Sequence, residues 1–277
     1  MTSPTTLDRT DVLSGLFDSW DAIDALLDGL PESQWEAATP LPGWCVHDVV
    51  SHMIGTESML LGTATPEPDI DVTTLGHVRN DIGVMNECWV RKLRGGSGAA
   101  LLDRFRAVTG DRRKLLTDMA DDDWDRITPT PAGPDSYGRF MRVRTFDCWM
   151  HEHDIRDALQ RPSETLDGPA SRLALDEIAA SMGFVVGKLG GAPDGSRVAI
   201  ELTGPLQRSI NVAVEGRGRV VEDFDGAPPT STIRLDGLLF TRLAGGRTSP
   251  GAHAGAIEYG GDEGVGRQIV EHLNYVI

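Results

Sequence analysis

The most informative segment of the sequence is Asp147-Cys148-Trp149-Met150-His151-Glu152-His153-Asp154-Ile155-Arg156. It lies inside a predicted helix over residues 137–159. Residues four apart on a helix share one face, so Asp147 and His151 point the same way and can chelate one metal ion. Asp154 returns to this face, where it could orient an imidazole, whereas His153 lies about 160° away from His151. The segment therefore predicts a metal site carried by a helix.

An Asp–His pair one turn apart is also common as an ordinary ion pair, and a catalytic metal usually has three protein ligands. His52, on a predicted helix over residues 46–61, is the candidate third ligand. It lies beside Val49 and Met53 on an apolar face, and helix bundles build metal sites by aiming ligands inward. His47 lies about 140° away around the same helix. Spacing alone leaves His52 open as either a ligand or a structural histidine.

Long amphipathic segments fill the first part of the chain. Apolar residues recur at three- and four-residue steps from Val12 to Leu30, with aspartates on the other face, and Pro31 follows. This pattern predicts a helix of about 20 residues. Further helices are predicted over residues 46–61, 74–93, 99–119 and 137–159. Short loops between such helices are typical of an up-and-down bundle.

The pattern changes after Pro162. Short β-type runs alternate there with Gly-rich turns, which is typical of a small α+β domain. We predict a domain boundary near residue 165, giving domains of residues 1–165 and 166–277. The predicted strands cover residues 198–202, 210–214, 220–221 with their flanks, 232–235 and 256–259. The predicted helices cover residues 170–189, 238–244 and 263–275.

Composition excludes several partners. The 277 residues carry 42 acidic and 26 basic side chains, a net charge of −16. Nucleic acid and anionic membranes require a basic surface, so neither is expected to bind. No targeting segment and no run of roughly 18 apolar residues is visible. The three cysteines are widely spaced and form no C-x-x-C motif, which favours a reducing cytoplasm.

A second segment reads Thr39-Pro40-Leu41-Pro42-Gly43-Trp44-Cys45-Val46-His47-Asp48-Val49-Val50-Ser51-His52. Together with the segment from Asp147 to Arg156, it resembles the mycothiol-dependent maleylpyruvate isomerase family of DinB-like, metal-binding four-helix bundles. The resemblance implies that the metal ligands are His52, Asp147 and His151. The family typically has glutamate where this chain has Asp147, which is one methylene shorter.

The resemblance continues beyond the bundle. It involves Leu235-Asp236-Gly237, the stretch from Arg242 to Arg247, and the stretch from Ile257 to Asp262 before a closing helix. These look like the family's C-terminal domain, which is similar to sterol carrier proteins. The implied fold class is therefore α+β, with a DinB-like four-helix bundle followed by a small α+β sterol-carrier-like domain.

The resemblance also implies a chemistry. In the family a divalent metal, usually zinc, activates the thiol of mycothiol, the small thiol of actinobacteria. A metal lowers the pKa of a coordinated thiol. A thiolate that adds to a double bond and leaves after rotation makes a cis–trans isomerase, and one that stays attached makes an S-transferase. We nominate Arg247 as the catalytic cation that clamps substrate carboxylates, and Arg79 and Asn80, on the third predicted helix, as contacts of the thiol cofactor.

Alternatives stay open at this point. The expected partners are a small-molecule substrate and a low-molecular-weight thiol, with the chain a monomer or a homodimer. A non-catalytic protein that binds an apolar ligand is one alternative function. A metal-dependent hydrolase that uses bound water is another. Arg247 could instead only cap a helix or pair with a surface acid, as exposed arginines usually do.

Overall fold

The computed structural model describes residues 5–131, 133–163 and 166–276. These residues form two compact units, the first ending at residue 163 and the second beginning at residue 166. The predicted boundary at residue 165 lies outside the described residues, so its position stays a prediction.

The first unit is helical. Its helices are α1 (Arg9–Leu27), α2 (Glu32–Trp35), α3 (Val46–Leu60), α4 (Asp81–Leu93), α5 (Gly98–Thr117), α6 (Asp121–Trp124) and α7 (Tyr137–Leu159). A short antiparallel pair of strands, β1 (Ile127–Thr128) and β2 (Asp135–Ser136), lies between α6 and α7. The short elements α2, α6, β1 and β2 have no counterpart in the sequence-based prediction.

The predicted bundle consists of α1, α3, α5 and α7. Helix α1 packs against α5 and α7, and α3 packs against α4, α5 and α7. Large side chains that are almost fully buried include Leu16, Trp20, Ile23, Met53, Phe105, Leu116 and Met141. Helix α3 can approach α4 closely because Gly55 has no side chain: a Cβ there would lie 2.4 Å from the ring of Trp89.

The predicted helices of this unit are observed, with differences at their ends. Helix α7 has the predicted bounds, but α1 ends three residues early, before Gly29 at a φ of +65°. The helix predicted from residue 74 begins only at Asp81, because the Asn80 side chain accepts a hydrogen bond from Gly83 N and caps it there. The prediction that Arg79 and Asn80 lie on this helix is therefore wrong, since both precede it.

The second unit contains the sheet. Its helices are α8 (Pro169–Phe184), α9 (Gly237–Ala244) and α10 (Glu263–Glu271), and a π-helical turn, Val185–Leu189, follows α8. Its strands are β3 (Arg197–Thr203), β4 (Arg208–Glu215), β5 (Arg217–Val221), β6 (Ser231–Asp236) and β7 (Ile257–Gly261). Among the helices described in both units, none has the length and apolar character needed to cross a membrane.

The five strands form one mixed sheet in the order β5-β4-β3-β6-β7. The central strands β3 and β6 run parallel, and the other neighbours run antiparallel. Ile200 of β3 pairs with Ile210 on β4 and Ile233 on β6, and all three are buried. Helix α8 packs on β4 and β5, and α10 on β6 and β7. The predicted α+β fold class is confirmed.

The last helix is shorter than predicted. It ends at Glu271, whereas the sequence pattern extends it to Tyr275. The backbone N–H of Tyr275 donates instead to the carbonyl of Ala244 at 3.3 Å. This contact places the backbone of Tyr275 beside the last residue of α9, outside a helix.

Candidate metal centre

Three side chains from two helices of the first unit converge on one point. His52 comes from α3, and Asp147 and His151 come from successive turns of α7. His52 Nε2 lies 3.3 Å from Asp147 Oδ2, and His151 Nε2 lies 3.5 Å from Asp147 Oδ1. One ligand atom from each residue lies within 4.8 Å of the other two. The structure thus brings together the three residues that were predicted as ligands.

The two imidazoles are buried, but solvent reaches the carboxylate. His52 and His151 are 6% and 5% exposed, whereas the Asp147 side chain is 29% exposed. Burial lowers the pKa of His52, although Asp147 opposes this change. Burial also disfavours the charged form of His151, but the carboxylates of Asp147 and Asp154 outweigh it and raise the pKa of His151. His52 therefore stays a neutral imidazole, the form that binds metals.

Asp147 stays ionised. Burial alone would raise its pKa, but the guanidinium of Arg144 and the imidazoles of His151 and His52 outweigh it and hold the pKa of Asp147 well below its usual range. A carboxylate must be deprotonated to bind a metal. The local charges therefore keep this residue in the deprotonated form that a ligand must have.

A second carboxylate orients His151. Asp154 is fully buried, and its Oδ2 lies 3.0 Å from His151 Nδ1. This is the contact expected from the three-residue spacing on α7. Because Asp154 occupies Nδ1, the Nε2 atom of His151 is the one that faces Asp147. A carboxylate in this position fixes the ring and strengthens the imidazole as a ligand.

His52 has a different environment. Its ring packs against the indole of Trp44, with 5.4 Å between ring centroids. Trp44 Nε1 donates to Oε1 of buried Glu87 at 2.6 Å, and His77 Nε2 lies 2.7 Å from the same oxygen. His52 Nδ1 is buried and has no hydrogen-bond partner among the described residues. The ring of His52 is thus held by packing against Trp44 and against His151, whose ring centroid lies 4.9 Å away, and by the contact of its Nε2 with Asp147.

A network of charged side chains adjoins the centre and spans three helices. Arg144 of α7 donates to Asp147 Oδ2 at 2.5 Å and to Glu57 Oε1 at 2.9 Å. Arg112 of α5 donates to Glu57 Oε2 at 2.9 Å. We call these four residues the charge network. Glu57 and Arg112 are fully buried, and Arg144 is 3% exposed.

Sequence reasoning missed the charge network, although weak signals exist. Arg144 stands three residues before Asp147, which places both on one face of α7. Glu57 is the one Asp, Glu, Lys or Arg between positions 49 and 61, in the last turn of a core-facing helix. A lone charge on such a helix needs a buried partner. The partner Arg112 lies on another helix, and no spacing rule identifies it.

The other histidines of α3 and α7 lie outside the centre, as predicted. The ring of His153 packs against Trp149, with 4.3 Å between centroids. His47 Nε2 lies 3.1 Å from the carbonyl oxygen of Gly96. Both rings therefore have structural contacts of their own.

The geometry of the metal centre does not test the roles predicted for three further residues. Arg79 and Asn80 are exposed in the segment before α4, where the Asn80 side chain caps the helix. Arg247 lies in the second unit, after α9, and donates from Nη1 to the carbonyl of Gly245 at 2.5 Å. Arg79 and Asn80 as cofactor contacts and Arg247 as a catalytic cation stay predictions.

The donor set suits zinc. Two imidazole nitrogens and one carboxylate are the ligands of many catalytic zinc sites, which keep a fourth position open. Both histidines turn Nε2 toward one ionised carboxylate, and Asp154 supports one of them. Within the described part of the chain, no other cluster of His, Cys, Asp or Glu side chains has this spacing. These residues therefore fit a divalent metal.

Comparison with known protein families identifies the family of the chain. Residues 16–156 match the mycothiol maleylpyruvate isomerase N-terminal domain, and residues 172–268 match the C-terminal domain of that family. The chain belongs to the mycothiol maleylpyruvate isomerase family. The resemblance inferred from the sequence motifs is confirmed, and all three candidate ligands lie within the first matched range.

Solved structures and curated relatives extend the comparison. The crystal structure of the mycothiol-dependent maleylpyruvate isomerase has a TM-score of 0.61 at 14% identity, covering 94% of this chain and 95% of that one. A histidine-to-alanine variant of that enzyme has a TM-score of 0.59. An uncharacterized protein of Mycobacterium tuberculosis is 26% identical over 185 residues, 67% of this chain and 70% of the relative. At such identities the structural likeness extends to the fold alone.

Proposed function

We propose that this protein is a metal-dependent enzyme that uses a small thiol, mycothiol, as an isomerase or S-transferase acting on a small electrophile. The observation that supports this most is the convergence of His52, Asp147 and His151 at a partly exposed point in a chain of this family. Zinc is the proposed metal, because two imidazoles and a carboxylate are ligands that it prefers.

His52, Asp147 and His151 would hold the metal. When bound, the metal would lower the pKa of a thiol so that the nucleophilic thiolate is present near neutral pH. Asp154 would keep Nε2 of His151 turned toward the site, and Trp44 would cover one face of His52. Arg144 would keep Asp147 ionised.

The cysteines of this chain are poor sources of that nucleophile. Burial raises the pKa of Cys148 to about 12. Burial also raises the pKa of Cys45 and of Cys88. Thiols with raised pKa values are unreactive near neutral pH. This favours a thiol supplied by a small molecule.

The remaining parts of the proposal concern substrate, cofactor and location. Arg247 is proposed as the catalytic cation that binds substrate carboxylates, and Arg79 and Asn80 as contacts of the thiol cofactor. All three are at least partly exposed, as such contacts require. A cytoplasmic location is supported by the three free cysteines. The protein is proposed to be a monomer or a homodimer.

The test is turnover of a panel of electrophiles, including maleylpyruvate, with and without mycothiol. We expect turnover that needs both mycothiol and metal, stops with a chelator and returns with zinc. Turnover that needs metal but no thiol would contradict the proposal and indicate a hydrolase that uses bound water. No turnover, together with a co-purified apolar ligand, would contradict it in favour of a binding protein.

A further inference from the structure

The charge network connects the candidate metal centre to the core of the bundle. Asp147 Oδ2 accepts from Arg144, and Arg144 also donates to Glu57 Oε1. The second oxygen of Glu57 accepts from Arg112. Each neighbouring pair is in direct contact, so a change of charge at one member changes the electrostatic energy of the others.

The charges of the network balance without a metal. Arg112 and Arg144 are cations, and Glu57 and Asp147 are anions. Arg144 Nη2 also lies 3.6 Å from the sulfur of Cys148. A buried ion that loses its partner is strongly destabilising. Arg144 therefore gives Asp147 a partner of opposite charge in a protein that holds no metal.

The contact between Arg144 and Asp147 also opposes metal binding. A divalent cation held by Asp147 would lie close to the guanidinium of Arg144, and the two positive charges would repel because Arg144 is buried and poorly screened by solvent. Arg144 also occupies Oδ2, so a metal competes with it for the carboxylate. Glu57 has the opposite effect, because it offsets part of the positive charge of Arg144.

We propose that Arg144 is an internal counter-cation of Asp147, which keeps the site folded without metal and weakens metal binding so that the ion can exchange. Arg144 is thus a positioning residue that acts through Asp147, and Glu57 and Arg112 set its charge balance. This inference rests on the proposed function, since it takes His52, Asp147 and His151 as ligands.

The experiment compares zinc dissociation constants, measured by chelator competition, and the rise in Tm on adding zinc. Arg144→Gln removes a cation and is expected to bind zinc at least about tenfold more tightly, with a larger rise in Tm. Arg112→Gln removes a more distant cation and is expected to tighten binding by less. Glu57→Gln removes an anion and is expected to weaken binding about tenfold. The direction of each change follows the charge removed.

Two controls separate charge from packing. Arg144→Lys keeps the charge but loses the planar group that reaches both Asp147 and Glu57, so its zinc affinity should lie between those of the wild type and Arg144→Gln. Arg113 follows Arg112 in the sequence but pairs with Asp21 at the surface. Arg113→Gln therefore removes a cation outside the charge network and should leave the zinc affinity unchanged.

A purely structural role of the network predicts that Arg144→Gln, Arg112→Gln and Glu57→Gln all weaken zinc binding, and that result would overturn the proposal. If Arg144→Gln does not fold even with zinc, Arg112→Gln and Glu57→Gln decide. Tighter zinc binding in Arg112→Gln with weaker binding in Glu57→Gln supports the proposal, and any other pair of changes overturns it. A wild-type protein that binds no zinc would contradict the proposed function itself, which is a distinguishable result.

Discussion

The α7 side and the α3 side of the candidate metal centre hold their histidines by different kinds of contact. On α7, His151 Nδ1 lies 3.0 Å from the buried carboxylate of Asp154. On α3, the ring of His52 packs against Trp44, while its buried Nδ1 has no hydrogen-bond partner among the described residues. Asp147 lies near Nε2 of both rings. Beyond that shared contact, His151 is oriented by a second carboxylate, whereas His52 is oriented by packing.

This difference indicates which side of the centre is more strongly specified. A carboxylate on Nδ1 fixes the orientation of an imidazole, selects its tautomer and increases its strength as a ligand. Packing against an indole restricts the ring but does not choose between its nitrogens. We therefore expect changes on the α7 side to affect metal binding more than changes on the α3 side.

The largest effect is expected on the α7 side. Asp154→Asn removes the charge that supports His151, so the zinc dissociation constant should rise about 10- to 100-fold. Chelator competition measures this change. Asp157→Asn is the matched control, because Asp157 is exposed on the same helix, and it should keep the wild-type affinity. Equal affinities for Asp154→Asn and Asp157→Asn would contradict the role of Asp154.

A smaller effect is expected on the α3 side. Trp44→Ala removes the ring that packs on His52, so zinc affinity should fall roughly two- to tenfold, as aromatic pairs contribute modestly. Trp44→Phe keeps an aromatic ring and should stay closer to the wild type. A loss with Trp44→Ala that exceeds the loss with Asp154→Asn would reverse the proposed order of the two sides.

The smallest effect concerns the metal-free protein, where pH should distinguish the two histidines. Burial lowers the pKa of His52 below 6.5, so its contribution to the free energy of unfolding is present above pH 6.5 and is lost as the pH falls. Burial also acts on His151, but Asp147 and Asp154 outweigh it and raise its pKa above 6.5. Its contribution is therefore present below pH 6.5 and is lost as the pH rises.

Urea unfolding with a chelator at about pH 5.5 and about pH 8 measures this difference. His52→Gln should lose less stability than the wild type when the pH is lowered. His151→Gln should lose less stability than the wild type when the pH is raised. If both variants changed the pH dependence of the free energy of unfolding in the same direction, the two histidines would not have opposite pKa shifts.

The two sides also differ in how far the sequence predicts them. Asp147, His151 and Asp154 lie on one helix, and its periodicity predicts both their shared face and the contact between Asp154 and His151. His52 lies 95 residues before Asp147, and only the family resemblance selects it as a ligand. Contacts within a helix follow from spacing, whereas contacts between helices depend on packing that spacing does not describe.

The same limit applies to the fold and to the charge network. The predicted helices and strands are observed, but their ends depend on contacts such as the cap by Asn80, which the apolar pattern does not contain. The pairing of Glu57 with Arg112 and Arg144 joins three helices. It becomes visible only when the bundle is assembled.

The most direct test of the central claim is the zinc content of the purified protein, measured by elemental analysis after equilibration with zinc. We predict about one zinc per chain in the wild type and a clear loss in His151→Ala. His153→Ala is the matched control, because its ring packs on Trp149 away from the centre, and it should keep the metal. An unchanged zinc content in His151→Ala would contradict the assignment of His52, Asp147 and His151 as the metal centre.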